Sequence, residues 1–363
     1  MAAAPLTVVT GFPGFIGRRL VRAILQSDAD ARVVALVEGR MAASAETAAA
    51  EIDDQRIEIV AGDIADRGLG MPADTYERLL AETRTVHHLA AIYDLSVPLE
   101  IAQRVNVDGT GNVLEFCARC EGLERLNYVS TAYVAGDRKG VVYEHELVFG
   151  QDFKNHYEST KFQAEVWARE AMENVPTTIY RPAIVVGDSR TGETQKFDGP
   201  YYMLRVISSA ERTGTPIPQF GRSGATINVV PVDFVVDALI AGAGDPAAIG
   251  QTLHLVDPEP VTASDVLGLL SGEYAGKEPG LRLPPQLVSA SLRIGAVRKL
   301  YGGAPPEGIV YLNHPVRFDT RQAADLLSRH GLSCPRFKDY VGPIVRFFRE
   351  NEDDPAYAPK AVA

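Results

Sequence analysis

The chain has 363 residues, of which 46% are hydrophobic and 23% are charged, proportions that exclude a disordered or fibrous protein. Its 36 basic and 47 acidic side chains give a formal net charge of −11, so it would repel DNA or RNA, and nucleic acid is not expected as a partner. No signal peptide is visible, and the most apolar long stretch, residues 227–244, contains Asp233 and Asp237. We therefore expect a cytoplasmic protein without a transmembrane segment.

The first half of the chain alternates between apolar segments with the periodicity of strands and segments with that of helices. The predicted strands are 7–10, 32–37, 57–61, 85–90, 125–130 and 177–180, and the predicted helices are 16–25, 74–83, 105–117 and 157–170. Strands separated by helices predict an α/β fold of the Rossmann type, a doubly wound parallel sheet with helices on both faces.

The pattern loosens after residue 185, where Gly/Pro-rich runs appear. We expect a core at 1–185, a smaller C-terminal substrate-binding lobe at 186–350, and a disordered tail at 351–363. A strand near 251–256 is expected to return to the main sheet. The run 287–300 is interpreted as a packed helix, with an amphipathic lid or a membrane-surface patch as the alternative.

Three cysteines occur, and Cys117 and Cys120 lie one helical turn apart in an apolar segment. No second pair of ligands accompanies them, so the pattern favours burial as small hydrophobic side chains over a redox or metal pair. The sequence therefore predicts no metal site.

Three glycines lie between the first predicted strand and the first predicted helix. At the first turn of a βαβ unit this spacing indicates dinucleotide binding, because it allows a tight turn, close approach of a pyrophosphate and close packing of the helix. The core is therefore predicted to bind NAD(P). The expected contacts in this loop are Gly11, Phe12, Pro13, Gly14, Phe15, Ile16, Gly17 and Arg18.

The choice between the two cofactors depends on the end of the second predicted strand. Glu38 follows the last glycine by about 20 residues, where a carboxylate usually holds the ribose 2′-hydroxyl of NAD. Arg40 and Arg18 would instead suit the 2′-phosphate of NADP. Because Val37 occupies the strand end itself, NADP(H) is favoured and NAD(H) is the alternative.

Further cofactor contacts are expected where the third and fourth strands end. Asp63 would accept a hydrogen bond from the adenine amino group or close a turn, and small side chains leave room for a flat cofactor. The residues expected there are Asp63, Ile64, Leu89, Ala90 and Ala91.

Tyr157 and Lys161 are four residues apart on a predicted helix and so share one face. Ser130 and Thr131 end a preceding strand, where a hydroxyl would point over the same crevice. Positive charge from Lys161 and an oxidised nicotinamide would favour the phenolate of Tyr157, which would exchange a proton with the substrate oxygen. The set predicts an NAD(P)-dependent oxidoreductase acting on a carbonyl or an alcohol.

Several longer motifs, HLAA, NVDGTGNVLEFC, YVSTAYVAG and YESTK, resemble those of the extended short-chain dehydrogenase/reductase superfamily. Within it, VTGFPGFIGRRL, NHYESTKFQAE, YRPAIVVGDSRTGE and VVPVDFVVDAL look most like the thioester-reductase and male-sterility branch, which includes fatty acyl-CoA reductases. The resemblance implies NADPH-dependent reduction of an acyl thioester to an aldehyde or an alcohol. Relatives that use NADPH often have arginine where Glu38 stands.

The resemblance also implies roles for individual residues. Thr131, Tyr157 and Lys161 would form the catalytic set, with Ser130 among the cofactor contacts. Asn106 would support the active-site helix beside the cofactor, or it would cap a helix. The residues implied beside the nicotinamide are Pro182, Ala183, Ile184 and Val185.

The expected partner is a small hydrophobic substrate, carried as an acyl-CoA or on an acyl carrier protein, and a homodimer is possible. Three alternatives stay open: a keto/hydroxy oxidoreductase acting on a bulky lipid or a sterol-like molecule, a nucleotide-sugar epimerase or dehydratase, and a non-catalytic scaffold that senses NADP.

Overall fold

Seven parallel strands form one sheet in the computed structural model, which describes residues 5–93, 97–219, 225–282 and 316–358. All the pairings between neighbouring strands are parallel. The order across the sheet is β3-β2-β1-β4-β5-β6-β7. The strands are β1 (Leu6–Thr10), β2 (Arg32–Val37), β3 (Ile57–Ala61), β4 (Thr83–His88), β5 (Arg125–Val129), β6 (Thr177–Pro182) and β7 (Thr252–Leu255).

Both faces of the sheet are covered, because successive side chains of a strand enter different hydrophobic clusters. In β1, Leu6 and Val8 belong to one cluster and Val9 belongs to the other. Strands buried on both faces are apolar throughout rather than alternating. The predicted doubly wound α/β fold is confirmed.

The helices connect the strands and cover the sheet. Their bounds are α1 (Phe15–Ser27), α2 (Ala42–Ile52), α3 (Ala73–Glu82), α4 (Leu99–Ala102), α5 (Gly109–Arg119), α6 (His156–Ala171), α7 (Tyr201–Thr213), α8 (Val232–Gly244), α9 (Ala263–Ala275), α10 (Arg321–Ser328) and α11 (Phe337–Asn351). A π-helical turn, Gln103–Asp108, joins α4 to α5. Within the described ranges, no helix has both the length and the apolar character needed to cross a bilayer.

Helix α2 is absent from the predicted elements. Its buried residues are Ala45 and Ala48 alone, so the segment has almost no apolar periodicity to detect. Alanine nevertheless has the highest helix propensity of any residue, which accounts for the helix.

The strand expected near 251–256 is β7, which pairs with β6 and places Leu253 opposite Tyr180. A third hydrophobic cluster lies apart from the two that cover the sheet, and α7, α9 and α11 supply most of it. Other parts of 186–350, including α8 and α10, pack in a cluster that covers the sheet, and the substrate lobe stays a prediction. The run 287–300 lies outside the described residues.

The C-terminal segment differs from the sequence expectation. After α11 the chain forms a short 3₁₀ turn, Pro355–Tyr357. The Tyr357 ring stacks 5.1 Å from the ring of Phe197, and the Phe197 amide donates a 2.9 Å hydrogen bond to the Tyr357 carbonyl. Aromatic packing therefore orders the residues before 359, and the expected disorder does not apply to them.

Candidate active site

The crevice lies where the strand order reverses, between β1 and β4. In a doubly wound sheet, ligands bind outside the carboxyl ends of the strands at this switch point. The two strand ends are joined at Thr10, whose hydroxyl accepts a 3.2 Å hydrogen bond from the Ala90 amide and whose carbonyl accepts from the Leu89 amide. The glycine loop and the small residues after β4 therefore border the same crevice.

The three glycines are needed because the loop is folded tightly on itself. Gly11 has φ +90°, and a Cβ there would lie 2.8 Å from the Ala90 amide nitrogen. A Cβ on Gly14 or on Gly17 would lie 2.8 Å or 2.5 Å from the Gly11 carbonyl oxygen. The bare backbone at the start of α1 makes a cradle that fits a pyrophosphate, which binds to exposed amides at a helix N-terminus.

The other side chains of the loop pack inwards. Phe12 and Pro13 are buried, and Phe15 and Ile16 pack against a core cluster. Any contact that these residues make with a cofactor would therefore come mainly from their backbone.

Both arginines proposed for the 2′-phosphate already have carboxylate partners. Arg40 Nε donates a 2.7 Å hydrogen bond to Glu38, and Arg18 pairs with Glu51. Exposed or partly exposed ion pairs of this kind contribute only about 0–1 kcal/mol. A phosphate would thus compete with these two carboxylates at low cost.

Asp63 and Ile64 lie at the end of β3. The Asp63 carboxylate accepts a 2.9 Å hydrogen bond from the Ala65 amide and approaches Arg104 at 3.5 Å. This is the turn-closing arrangement that the sequence left open as an alternative. Ile64 is buried, and a Cβ on Gly109 would lie 2.9 Å from its side chain.

The predicted catalytic lysine, Lys161, lies on the buried face of α6. Lys161 is 2% exposed, its Nζ donates a 2.8 Å hydrogen bond to the Val129 carbonyl, and its charge lies 4.6 Å from the centre of the Tyr128 ring. Burial lowers the pKa of Lys161 to about 7, and the Glu165 carboxylate opposes this shift. The lysine can therefore lose its charge near neutral pH.

Tyr157 and Thr131 meet in the same crevice. Burial raises the pKa of Tyr157 to about 12, and a hydrogen bond with the Thr131 side chain partly offsets the shift. Thr131 Oγ1 also lies 3.5 Å from the Pro182 carbonyl oxygen. Burial thus favours the protonated phenol in the protein without a cofactor. The expected effect of an oxidised nicotinamide on Tyr157 stays a prediction.

The residues after Pro182 follow the carboxyl end of β6. The Ala183 amide donates to the Leu255 carbonyl, and the strand Ile184–Val186 pairs with Val229–Pro231. This run therefore borders the crevice on the side of Thr131.

Ser130 is placed differently from its prediction as a cofactor contact. Its hydroxyl donates a 2.6 Å hydrogen bond to Glu165, which forms a buried ion pair with Arg181 at 2.6 Å. Because the serine hydroxyl is hydrogen-bonded to this buried ion pair, it lies in the core rather than in the crevice.

Asn106 supports α6, the helix that carries Tyr157 and Lys161, and does not cap a helix. It lies in the π-helical turn and is 1% exposed. Its side-chain oxygen accepts a 2.8 Å hydrogen bond from the Ile92 amide, and its Nδ2 donates a 3.1 Å hydrogen bond to the Thr160 hydroxyl. Both groups of the amide are therefore occupied by the protein itself, and the structure does not place it as a direct cofactor contact.

Two features of the site are absent from the sequence prediction. The Tyr93 ring packs edge-on against the Tyr157 ring, with centroids 5.1 Å apart. Gln195 Nε2 donates a 3.5 Å hydrogen bond to the Pro13 carbonyl, so the segment after β6 lies against the glycine loop. An aromatic residue just after the HLAA motif was a usable signal for Tyr93, but nothing local indicates Gln195.

The cysteines have the surroundings of small hydrophobic side chains. Cys117 is buried, and burial raises the pKa of the half-buried Cys120 to about 12, which disfavours a thiolate. In the part of the chain that the structure describes, no three His, Cys, Asp or Glu side chains gather as metal ligands.

Comparison with known proteins identifies the family. The model of the male sterility protein family matches residues 9–239. The chain belongs to this family. The match confirms the resemblance to the male-sterility branch of the extended short-chain dehydrogenase/reductases, and with it the predicted class of NAD(P)-dependent oxidoreductase.

A solved structure, the terminal R domain from the myxalamid PKS-NRPS biosynthetic pathway, is 26% identical, with a TM-score of 0.81, and the match covers 99% of this chain and 94% of that one. Fatty acyl-CoA reductase wat of Drosophila melanogaster is 27% identical over 65% of this chain and 53% of its own length. Carboxylic acid reductase of Segniliparus rugosus is 26% identical over 64% of this chain and 22% of its own length. The chain therefore spans about half the length, or much less, of these two curated relatives.

Proposed function

We propose that the protein reduces a hydrophobic acyl thioester, carried on coenzyme A or on a carrier protein, to an aldehyde or an alcohol at the expense of NAD(P)H. The observation that carries the proposal is the meeting of Tyr157, Thr131 and Lys161 in the crevice that the glycine loop borders. Membership of the male sterility protein family supports it, as do the similar fatty acyl-CoA reductase and carboxylic acid reductase sequences.

The residues present fit a dinucleotide. Gly11, Gly14 and Gly17 leave bare backbone where any side chain would collide with the loop. Lys161 lies at the carboxyl end of β5, where its ammonium form would bind the ribose next to the nicotinamide. A bound nicotinamide would supply the hydride.

Tyr157 is the proton donor in this proposal. Its raised pKa keeps the phenol protonated at neutral pH, which is the form that a reduction requires. When the thioester carbon has gained the hydride, the former carbonyl oxygen becomes an alkoxide, and the phenol protonates it. The hydrogen bond with the Thr131 side chain that lowers the pKa of Tyr157 supports a role for both hydroxyls at that oxygen.

The resulting hemithioacetal breaks its carbon–sulfur bond, and the thiol leaves with a proton. The balance is one thioester, one NAD(P)H and one proton giving one aldehyde, one thiol and one NAD(P)⁺. A second hydride and a second proton from the same groups would convert the aldehyde to the alcohol.

NADP(H) is the cofactor that we infer. Arg40 and Arg18 lie beside the end of β2 and the start of α1, and each holds a carboxylate that a 2′-phosphate can replace. Charge-assisted contacts between a guanidinium and a phosphate are worth roughly 1.5–3 kcal/mol, more than the exposed pairs they would displace.

The experiment is a substrate panel with purified protein, in which oxidation of NADPH and of NADH is followed with long-chain acyl-CoAs, aldehydes, ketones and UDP-sugars. The proposal expects NADPH oxidation with acyl-CoA or with an acylated carrier protein. Turnover of ketones alone would indicate a keto/hydroxy oxidoreductase. Conversion of UDP-sugars would indicate an epimerase, and cofactor binding without any turnover would indicate a sensing scaffold.

A further inference from the structure

His88 is a buried residue at the carboxyl end of β4 to which the proposed reaction gives no role. It is 1% exposed and lies opposite Tyr128 in the pairing of β4 with β5. The two rings stack with centroids 5.6 Å apart and an interplanar angle of 25°. Lys161 lies against the same Tyr128 ring, 4.6 Å from its centre.

Both nitrogens of His88 are bonded, and the partners determine its tautomer. Thr110 Oγ1 donates a 2.6 Å hydrogen bond to the Asn106 carbonyl, so it must accept the 3.0 Å hydrogen bond from His88 Nε2. Thr10 Oγ1 already accepts from the Ala90 amide, so its proton is available for His88 Nδ1 at 2.7 Å. The consistent arrangement is a neutral imidazole protonated on Nε2.

The imidazole stays neutral at physiological pH. Burial, and to a lesser extent the charge of Lys161, lower the pKa of His88 to about 3. A proton donor or acceptor for the substrate would have to reach the substrate in the crevice. His88 is buried and both of its ring nitrogens are bonded to threonine hydroxyls, so its contribution must act through other residues.

The hydrogen-bonded chain through His88 joins the two halves of the candidate site. At one end, Thr10 precedes Gly11 and holds the Ala90 amide beside the glycine loop. At the other end, Asn106 donates a 3.1 Å hydrogen bond to Thr160, which lies on α6 between Tyr157 and Lys161. The links from Thr10 through His88, Thr110 and Asn106 to Thr160 are buried, and the link from the Ala90 amide to Thr10 is partly buried. A buried polar group that loses its partner carries a large free-energy cost.

We propose that His88 is a positioning residue that couples the glycine loop to the catalytic helix, acting through Thr10 on one side and through Thr110 and Asn106 on the other. The proposal depends on the proposed function only in taking the crevice as the cofactor and catalytic site. His88 fixes the relative position of the two parts and touches neither substrate nor cofactor.

Isosteric variants test the chain without changing side-chain volume. We expect Thr10→Val to weaken NADPH binding and Thr110→Val to lower kcat, each by about 10-fold, the scale of one buried hydrogen bond. The matched control is Thr83→Val, at the start of the same strand, whose buried hydroxyl has no hydrogen-bond partner among the residues described. The control should leave both quantities unchanged.

The double variant separates coupling from independent damage. The quantity to compare is kcat/KM for NADPH, which combines binding and turnover. If His88 links the two threonines, the loss of kcat/KM in the double variant Thr10→Val with Thr110→Val should fall short of the product of the two single losses, because the first variant already breaks the chain. The pair Thr10→Val with Thr83→Val should be multiplicative. Multiplicative effects for both pairs, or variants that lower only the melting temperature, would overturn the proposal.

Nitrogen-15 NMR of the imidazole gives a readout that needs no substrate. In the wild-type protein His88 should be neutral and protonated on Nε2 from pH 5 to 8. In Thr110→Val, Nε2 of His88 loses its hydrogen-bond acceptor. The imidazole proton should then lie on Nδ1, which can donate a hydrogen bond to the Thr10 hydroxyl. A wild-type Nδ1 tautomer, or a titration midpoint near 6.5, would contradict the proposal. Because NMR and NADPH affinity do not require turnover, an inactive wild-type protein would count against the proposed function and not against this coupling.

Discussion

The ammonium group of Lys161 donates a 2.8 Å hydrogen bond to the carbonyl oxygen of Val129, the last residue of β5. The bond fastens α6 to the strand that leads into Thr131. It therefore fixes Tyr157, one helical turn before the lysine, relative to the threonine hydroxyl. It also places at the edge of the crevice an amine whose pKa is lowered to about 7, so that the amine can be charged or neutral near that pH.

The pH dependence of activity should reflect this lysine. Because the pKa of Lys161 is lowered to about 7, its charged form predominates below that pH and is lost as the pH rises through it. We expect kcat/KM for NADPH, which reports groups of the free enzyme, to fall above about pH 7. Lys161→Met should be slow and independent of pH in this range, and Lys139→Met, at an exposed position, should keep the wild-type profile. A wild-type profile that stays flat to pH 10 would show that the lysine does not control the site.

Tyr157→Phe removes the phenolic proton and keeps the ring that packs on Tyr93. We expect kcat to fall by about 100-fold or more, the scale for a positioned acid, with NADPH affinity unchanged. Tyr76→Phe, a buried tyrosine in a core cluster away from the crevice, is the control and should keep near-normal turnover. Near-normal turnover of Tyr157→Phe would show that Tyr157 is not the proton donor.

Gly14→Ala tests the pyrophosphate cradle. The new Cβ would lie 2.8 Å from the Gly11 carbonyl oxygen, so the loop must shift and its amides must move away from the phosphates. We expect NADPH affinity, measured by fluorescence titration, to fall by about 10-fold or more. Gly39→Ala, where a Cβ meets nothing within 4 Å, is the matched control. Thermal unfolding of both variants shows whether the loss is local, and retained affinity in Gly14→Ala would contradict the assignment.

Arg40→Ala tests the inferred preference for NADP(H). Loss of one charge-assisted contact should weaken NADPH binding by about 10-fold and leave NADH binding almost unchanged. Glu38, released from Arg40, would then be available to the ribose hydroxyls, which works in favour of NADH. The control is Arg32→Ala, at the opposite end of β2, where the arginine pairs with Glu82 at 3.1 Å. Equal losses for both cofactors, or a wild-type preference for NADH, would contradict the inference.

The glycine loop and the pair formed by Tyr157 and Lys161 are predictable from sequence because their geometry is local. Residues four apart on a helix share a face whatever surrounds them, and a glycine-rich turn between a strand and a helix has few conformations. The strands are predictable for a similar reason, since burial on both faces makes them continuously apolar.

Contacts between distant segments are not predictable in this way. Ser130 and Thr131 both follow the end of β5, but the Ser130 hydroxyl binds Glu165 on a helix that comes later in the chain, and no local pattern reveals that direction. The shift in the pKa of Tyr157 is not predictable from sequence for a related reason. The sequence places Lys161 nearby, but it does not give the burial that raises the pKa.

The most direct test of the account is whether oxidation of NADPH is coupled to cleavage of a thioester. Free thiol should be measured with a chromogenic reagent during reduction of a long-chain acyl-CoA, alongside NADPH absorbance, for the wild-type protein and for Tyr157→Phe. The account predicts one thiol released for each NADPH oxidised if the aldehyde is the product, and one for every two if the alcohol is, with both signals lost together in the variant. Oxidation of NADPH by an aldehyde or a ketone, with no thiol released from any acyl-CoA or acylated carrier protein, would contradict it.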